Sequence, residues 1–195
     1  LASPLVFLSS EQIALYASSL TWPIHIYDSI DSTNAEALRL VEVECATPFL
    51  VLAEQQTAGR GRRGRKWISP FAQNVYYSLL LRIENGPRQL EGLSLVVGLA
   101  VMQALRESGV QGAALKWPND VLVGQKKIAG ILLELVGDPA DICHVVLGIG
   151  INVNMQKAEE VDQQWTSVQL ETGSPVDRNS LVARLCLQLQ SYLDR

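Results

Sequence analysis

Apolar residues change their spacing several times along the chain, and each change marks an element. Ser9 and Gln12 stand at capping-box spacing; Ile13, Ala14 and Ala17 then give a short helical face that Trp22-Pro23 stops. Ile24, Ile26 and Ile30 fall on one side of an extended run, which predicts a strand. At Asp31-Ser32-Thr33-Asn34 the period becomes helical. Thr33 and Glu36 repeat the capping-box spacing, and Leu38 and Val41 carry the apolar face toward Cys45. Residues 49–53 form a continuous apolar run, a buried strand, and residues 75–83, rich in aromatic and branched side chains, form another. Residues 90–108 are apolar nearly all round, which predicts a central buried helix ending at Gly109. Three strand-like runs follow, 113–117, 127–136 and 142–153. Short turns join them, one at Gly124-Gln125, so neighbours should run antiparallel. Residues 178–192 close with a helix whose apolar positions are Leu181, Val182, Leu185 and Leu189. The expected fold is α+β: one mixed, largely antiparallel sheet with helices packed on it.

Composition narrows the picture. The chain has 195 residues, enough for one domain; 48% are apolar and 18% charged, which makes it globular rather than disordered. A net charge of −4 argues against a surface built throughout for nucleic acid. Yet Arg60, Arg62, Arg63, Arg65 and Lys66 crowd one short stretch, so a particular anionic target is expected there. The cysteines, Cys45, Cys143 and Cys186, are odd in number and widely spaced, which supports neither a disulfide framework nor a zinc site and fits a reducing compartment. No secretory signal is visible, and the longest apolar stretch, 93–105, is shorter than the ~20 residues of a membrane span. A cytoplasmic protein without membrane contact is expected. The start at Leu1 and the end at Arg195, within a helical pattern, both read as cuts in a longer protein.

Four segments could carry chemistry. Gly59-Arg60-Gly61-Arg62-Arg63-Gly64 matches the dinucleotide fingerprint by letter, but the extended Lys66-Trp67-Ile68-Ser69-Pro70 follows where a helix is required. It is not a phosphate-cradling P-loop either, since Arg65 follows Gly64. The alternatives are a solvated basic loop, a nucleic-acid arm, or a loop offering guanidinium forks to carboxylate and phosphate oxygens. Lys116-Trp117-Pro118-Asn119-Asp120 is a restrained turn that presents Asn119 and Asp120, or merely a hairpin connection. Lys127, in Lys127-Ile128-Ala129-Gly130, is either a surface cap of its strand or a point charge aimed into a pocket. Gly148-Ile149-Gly150-Ile151-Asn152 puts two glycines in a strand, for a bulge or for a closely approaching ligand. His25 and His144 lie in strand-like runs, and Cys143 and His144 point to opposite faces, so no nucleophile–base pair forms there.

Together with Asp31-Ser32-Thr33-Asn34 and Gln56, these segments stand in the order and near the spacing of biotin protein ligases, and the chain resembles that family over almost its whole length. The resemblance implies a fold like that of class II aminoacyl-tRNA synthetases. It implies formation of biotinyl-5′-AMP from biotin and MgATP, then transfer of biotin to one lysine of the biotin carboxyl carrier protein of acetyl-CoA carboxylase. Lys127 and Arg62 are the implied catalytic pair. Ser32, Thr33, Asn34, Gln56, Gly59, Arg60, Gly61, Gly130 and Gly150, with Arg62 and Lys127, are implied around biotin. Arg65, Trp67, Lys116, Asn119, Asp120 and Asn152, again with Arg62 and Lys127, are implied on the ATP side, with no protein-held metal. Trp165 is the candidate to cover the adenine. In the same way residues 1–22 are implied to be a linker and first helix following a winged helix-turn-helix, and 23–195 the catalytic domain, without the family's C-terminal β-barrel. A homodimer in the adenylate-bound state, and operator DNA contact only through that N-terminal domain, belong to the same expectation. Lipoate ligation and a non-catalytic biotin-sensing repressor are the alternatives.

Overall fold

A computed structural model describes residues 4–43, 46–84, 92–138 and 141–194. Its centre is a seven-stranded sheet in the order β1-β2-β3-β7-β6-β5-β4, with β1 Ile24–Tyr27, β2 Phe49–Ala53, β3 Val75–Ile83, β4 Ala113–Lys116, β5 Asp120–Val123, β6 Lys126–Gly137 and β7 Cys143–Ile151. Only β1 and β2 pair in parallel, because helix α2, Thr33–Glu42, carries the chain back between them. The remaining neighbours are antiparallel. The other helices are α1 Ser10–Tyr16, α3 Leu93–Glu107, α4 Val168–Thr172 and α5 Arg178–Leu193.

Alternation along the strands divides the sheet into two faces. Leu50, Leu52, Tyr77, Leu79, Val145, Leu147, Ile149 and Ile151 share one apolar core with Val97, Val101 and Leu105 of α3 and Leu181, Leu185 and Leu189 of α5. On the opposite face Phe49, Val51, Leu80 and Val146 pack with Ala37 and flanking residues of α2. Helix α2 is only 10 residues long and covers that face at β2, β3 and the part of β7 around Val146. The face beyond it, across β7 and β6, carries Gly148, Gly150, Gly130 and Leu132, and there the sheet lies open to a cavity.

Several boundaries differ from the sequence reading, each for a physical reason. Helix α1 stops at Ala17, six residues before Pro23, where the backbone leaves the helical region at φ −135° and Ser18-Ser19 turn the chain. Ser9 caps it as expected, accepting from Gln12 N at 3.3 Å. The cap of α2 is Ser32, not Thr33: Ser32 Oγ accepts from Ala35 N, while Glu36 turns to Tyr27 and Arg39. Strand β5 and helix α4 were not anticipated, since both are short and lack a full period. Helix α3 begins at Leu93; the expectations for Cys45 and residues 90–91 lie outside the described residues. Among the described residues no helix is long and apolar enough to cross a membrane.

Candidate functional site

A cavity of about 930 Å³ lies on the open face of the sheet, and every site residue singled out from the sequence lines it except Gly59. Gly59 instead closes the base of the basic loop. Its carbonyl accepts from Trp67 N at 2.9 Å, and an added Cβ would lie 2.6 Å from Trp67 O. The loop is already folded by its own backbone: Gly61 N donates to Arg65 O at 2.7 Å and Arg65 N to Arg62 O at 3.2 Å. Arg63 and Gly64 make the reversal at φ +56° and +73°, and at Gly64 the absent side chain makes that geometry easy. Arg62, Arg63, Arg65 and Lys66 are exposed and form no ion pair among the described residues. Their charge is thus available to an anion.

One part of the lining is neutral and hydrogen-bonded. Ser32, Thr33 and Asn34 begin α2, and all three are buried. The Arg39 guanidinium, bonded to Asp31, holds that carboxyl down at about 2, so Asp31 is ionised when it accepts from Ser32 N at 2.7 Å. Gln56 Oε1 accepts from Thr33 N and Thr33 Oγ1 at 2.9 and 3.1 Å, and its Nε2 donates to Ser69 Oγ at 3.1 Å. Tyr76 also lines the cavity, but its hydroxyl is committed to Pro70 O at 2.7 Å and burial pushes the phenol upward, which removes it as an acid or base at neutral pH.

Farther across the sheet the lining becomes cationic. Here a β-bulge decides the geometry. Val121 pairs with Ala129 but Leu122 pairs with Lys127, which leaves Ile128 as an extra residue in β6. Ile128 and Ala129 therefore both enter the core, and Lys127 turns to the same face as Gly130. Lys127 Nζ meets Asp120 Oδ1 at 2.9 Å and stands 5.2 Å from the Trp67 ring centroid. The surface-cap alternative for this lysine is thereby removed. Asn152 spends its amide donors on Thr166 O at 3.1 Å and Lys127 O at 3.4 Å. That tie and the Lys127–Trp165 bridge bring Trp165, half-buried, to the cavity wall. Asn119 Nδ2 donates to Ile131 O at 3.0 Å, but its buried Oδ1 has no partner.

The glycines of β6 and β7 sit in continuous ladders, so they are not bulges. They make space. The Trp67 indole lies where a Cβ at Gly150 or Gly130 would fall, 2.5 Å from Cε2 and 2.9 Å from Cζ3 respectively; its Nε1 is buried without a partner. A Cβ at Gly148 would collide with Asn34 Oδ1 and stand 2.8 Å from the backbone oxygen of Leu132. Gly148→Ala is therefore expected to cost about 1–3 kcal/mol, because backbone cannot yield. Gly150→Ala, opposed only by a loop side chain, should leave the melting temperature within about 2 °C while displacing the indole. Thermal melts and tryptophan emission check the pair; equal destabilisation would refute this assignment of space.

Comparison with known proteins places the arrangement. Residues 26–152 match the model of the biotin/lipoate A/B protein ligase family. The whole chain aligns with 60% of the bifunctional ligase/repressor BirA of Escherichia coli, at 41% identity over 196 residues. It is 43% identical over 173 residues to the biotin–[acetyl-CoA-carboxylase] ligase of Paracoccus denitrificans, covering 84% of this chain and 71% of that protein. The solved biotin protein ligase of Aquifex aeolicus, in complex with biotin and ATP, matches with a TM-score of 0.75 at 36% identity, over 88% of this chain and 70% of that one. The chain thus spans about three-fifths of the length of the Escherichia coli relative.

Proposed function

The chain belongs to the biotin/lipoate A/B protein ligase family, and from that premise we propose that it is an ATP-dependent, AMP-forming biotin–[biotin carboxyl carrier protein] ligase. One observation carries the reading: a single cavity joins a neutral wall, Ser32, Thr33, Asn34 and Gln56, to a cationic one, Arg62, Arg65, Lys116 and Lys127. Hydroxyls and amides suit a neutral ureido ring, which both donates and accepts. Fixed cations suit the meeting of a carboxylate with a triphosphate.

In the first step a biotin carboxylate oxygen forms a bond to the α-phosphorus as the α–β phosphoanhydride breaks and pyrophosphate departs. Lys127 and Arg62 are the proposed catalytic residues, since both reactants are anions and repulsion is the barrier to their approach. Arg60, Gly61, Gly130 and Gly150 complete the biotin side, with Gly59 acting through the loop base. Arg65, Trp67, Lys116, Asn119, Asp120 and Asn152 form the nucleotide side, where Trp165 would face the adenine. The orphaned Trp67 Nε1 and Asn119 Oδ1 support this, because a buried group without a partner costs about 1–3 kcal/mol until a ligand atom meets it. Mg²⁺ is proposed to enter as part of MgATP.

In the second step a carrier lysine, having lost its proton, attacks the acyl carbon and AMP leaves. The carrier domain of acetyl-CoA carboxylase is the proposed acceptor, and the cytoplasm the compartment. Homodimerisation with the adenylate bound, and operon repression through a winged helix-turn-helix outside these 195 residues, complete the proposal. Exchange of labelled pyrophosphate into ATP is expected with biotin and absent with lipoate. Exchange with lipoate alone would overturn the substrate, and exchange with neither would overturn the reaction.

A further inference from the structure

Arg60 differs from the other cations of the basic loop. Its Nη2 meets Glu134 Oε2 at 3.2 Å, and Asn34 Nδ2 donates to that same oxygen at 2.7 Å. From Asn34 the contacts continue along the cavity floor. Ser78 Oγ lies within hydrogen-bond distance of Asn34 Oδ1 and Thr33 Oγ1, its one proton serving one of them at a time. Thr33 then donates to Gln56, Gln56 to Ser69, and Ser69 Oγ to Trp67 O at 3.0 Å. Arg60 and Trp67 are the two arms of the loop, joined at the Arg60–Lys66 bridge. The polar chain therefore ties one arm to the other through the floor of the cavity. Glu134 is its only carboxylate, and nothing in the proposed reaction uses it.

We propose that Glu134 is a positioning residue that latches the basic loop down onto the sheet. Its charge suits that task without opposing the chemistry. Glu134 and Lys127 are seven residues apart on β6, roughly 20 Å along an extended strand, so the carboxylate lies far from Lys127. It neutralises the one arginine whose job is attachment and leaves Arg62 and Arg65 free. Asn34, only 5% exposed, adds a second bond to the carboxylate and makes the latch part of the neutral wall. Loss of the latch should thus loosen the loop and weaken binding at that wall together. This last consequence rests on the ligase reading; the looseness of the loop does not.

The experiment has two arms. Trypsin cuts after Arg62, Arg63, Arg65 and Lys66, all exposed, and its rate there reports loop opening without any substrate. Glu134→Gln keeps an acceptor for Asn34 but loses the charge, and is expected to raise cleavage at those four sites about three- to tenfold, the range for a partly exposed ion pair with a second hydrogen bond. Arg60→Gln should do the same, and the double variant should be no faster than either single one. In pyrophosphate exchange, Glu134→Gln should raise the KM for biotin by a similar factor with kcat within about twofold. Unchanged cleavage in Glu134→Gln, or additive effects in the double variant, would overturn the latch. A fall in kcat with KM unchanged would overturn its role in binding. If wild-type exchange does not depend on biotin, the functional reading falls, and the proteolysis still judges the latch.

Discussion

Lys127→Ala is expected to lower biotin-dependent pyrophosphate exchange by about 10²–10³-fold, the usual cost of removing one fixed stabiliser of transition-state charge. The proposed mechanism assigns this lysine to the chemistry rather than to the fold. Its ammonium lies 2.9 Å from Asp120 and 5.2 Å from the Trp67 ring centroid, and its side chain is only 17% exposed. Two carboxylates and a triphosphate would otherwise confront one another in that corner, and the bulge at Ile128 is what aims the charge there. Removing it leaves Asp120, one-third exposed and able to rehydrate, so the melting temperature should move by no more than about 3 °C. Lys127→Arg should not restore full activity, because a planar fork cannot occupy the place of a compact ammonium between Asp120 and an indole. Single-turnover formation of the adenylate measures the effect. Normal rates in the alanine variant would remove Lys127 from the chemistry.

Arg178→Ala should have the largest effect on stability, about 3–5 kcal/mol, because it strands a buried carboxylate. Arg178 and Glu54 are 3% and 1% exposed, with Nη1 and Oε2 2.7 Å apart. The guanidinium also donates to Asn74 O at 3.1 Å and to Val6 O at 2.8 Å, while Glu54 Oε1 accepts from Leu8 N at 2.6 Å. One side chain at the start of α5 thus joins the N-terminal segment, the end of β2 and the entry to β3. Glu54 O also accepts from Ala72 N, just beyond the basic loop, so the damage should reach the site. The melting temperature is expected to fall by about 6–20 °C for a chain of this size. The double change Glu54→Gln with Arg178→Met should cost less than the single one, since no lone charge is then buried. A double variant less stable than Arg178→Ala would show that the ion pair itself stabilises the fold.

Much of this was legible in the sequence because it depends on periods and local chemistry. Alternation in Gly148-Ile149-Gly150-Ile151 already separates a core face from a face without side chains, and the ladders keep that separation. The crowding of arginines between Gly59 and Trp67 marked the basic loop, and the structure adds the hairpin that presents it. Five segments in order sufficed for the family, since residue types at fixed spacing are what the site's chemistry constrains. Elements that arise only from pairing escaped. β5 is four residues long and begins with Asp120, and it is a strand because β4 and β6 hydrogen-bond it from both sides.

Tertiary structure alone decided which way the decisive side chains face. Period-two counting puts Lys127 with Ala129 and Ile131 on the core face; one extra residue in the ladder turns it to the cavity. Trp67 fills the room left by Gly130 and Gly150, residues far from it in sequence. Glu134 reaches Arg60 across 74 positions, and Arg178 reaches Val6 across 172. Local propensity carries no information at such separations. These contacts follow from the closing of the sheet and the packing of α5, where the cost of burying an unpaired charge or donor favours whichever partner the fold has brought near.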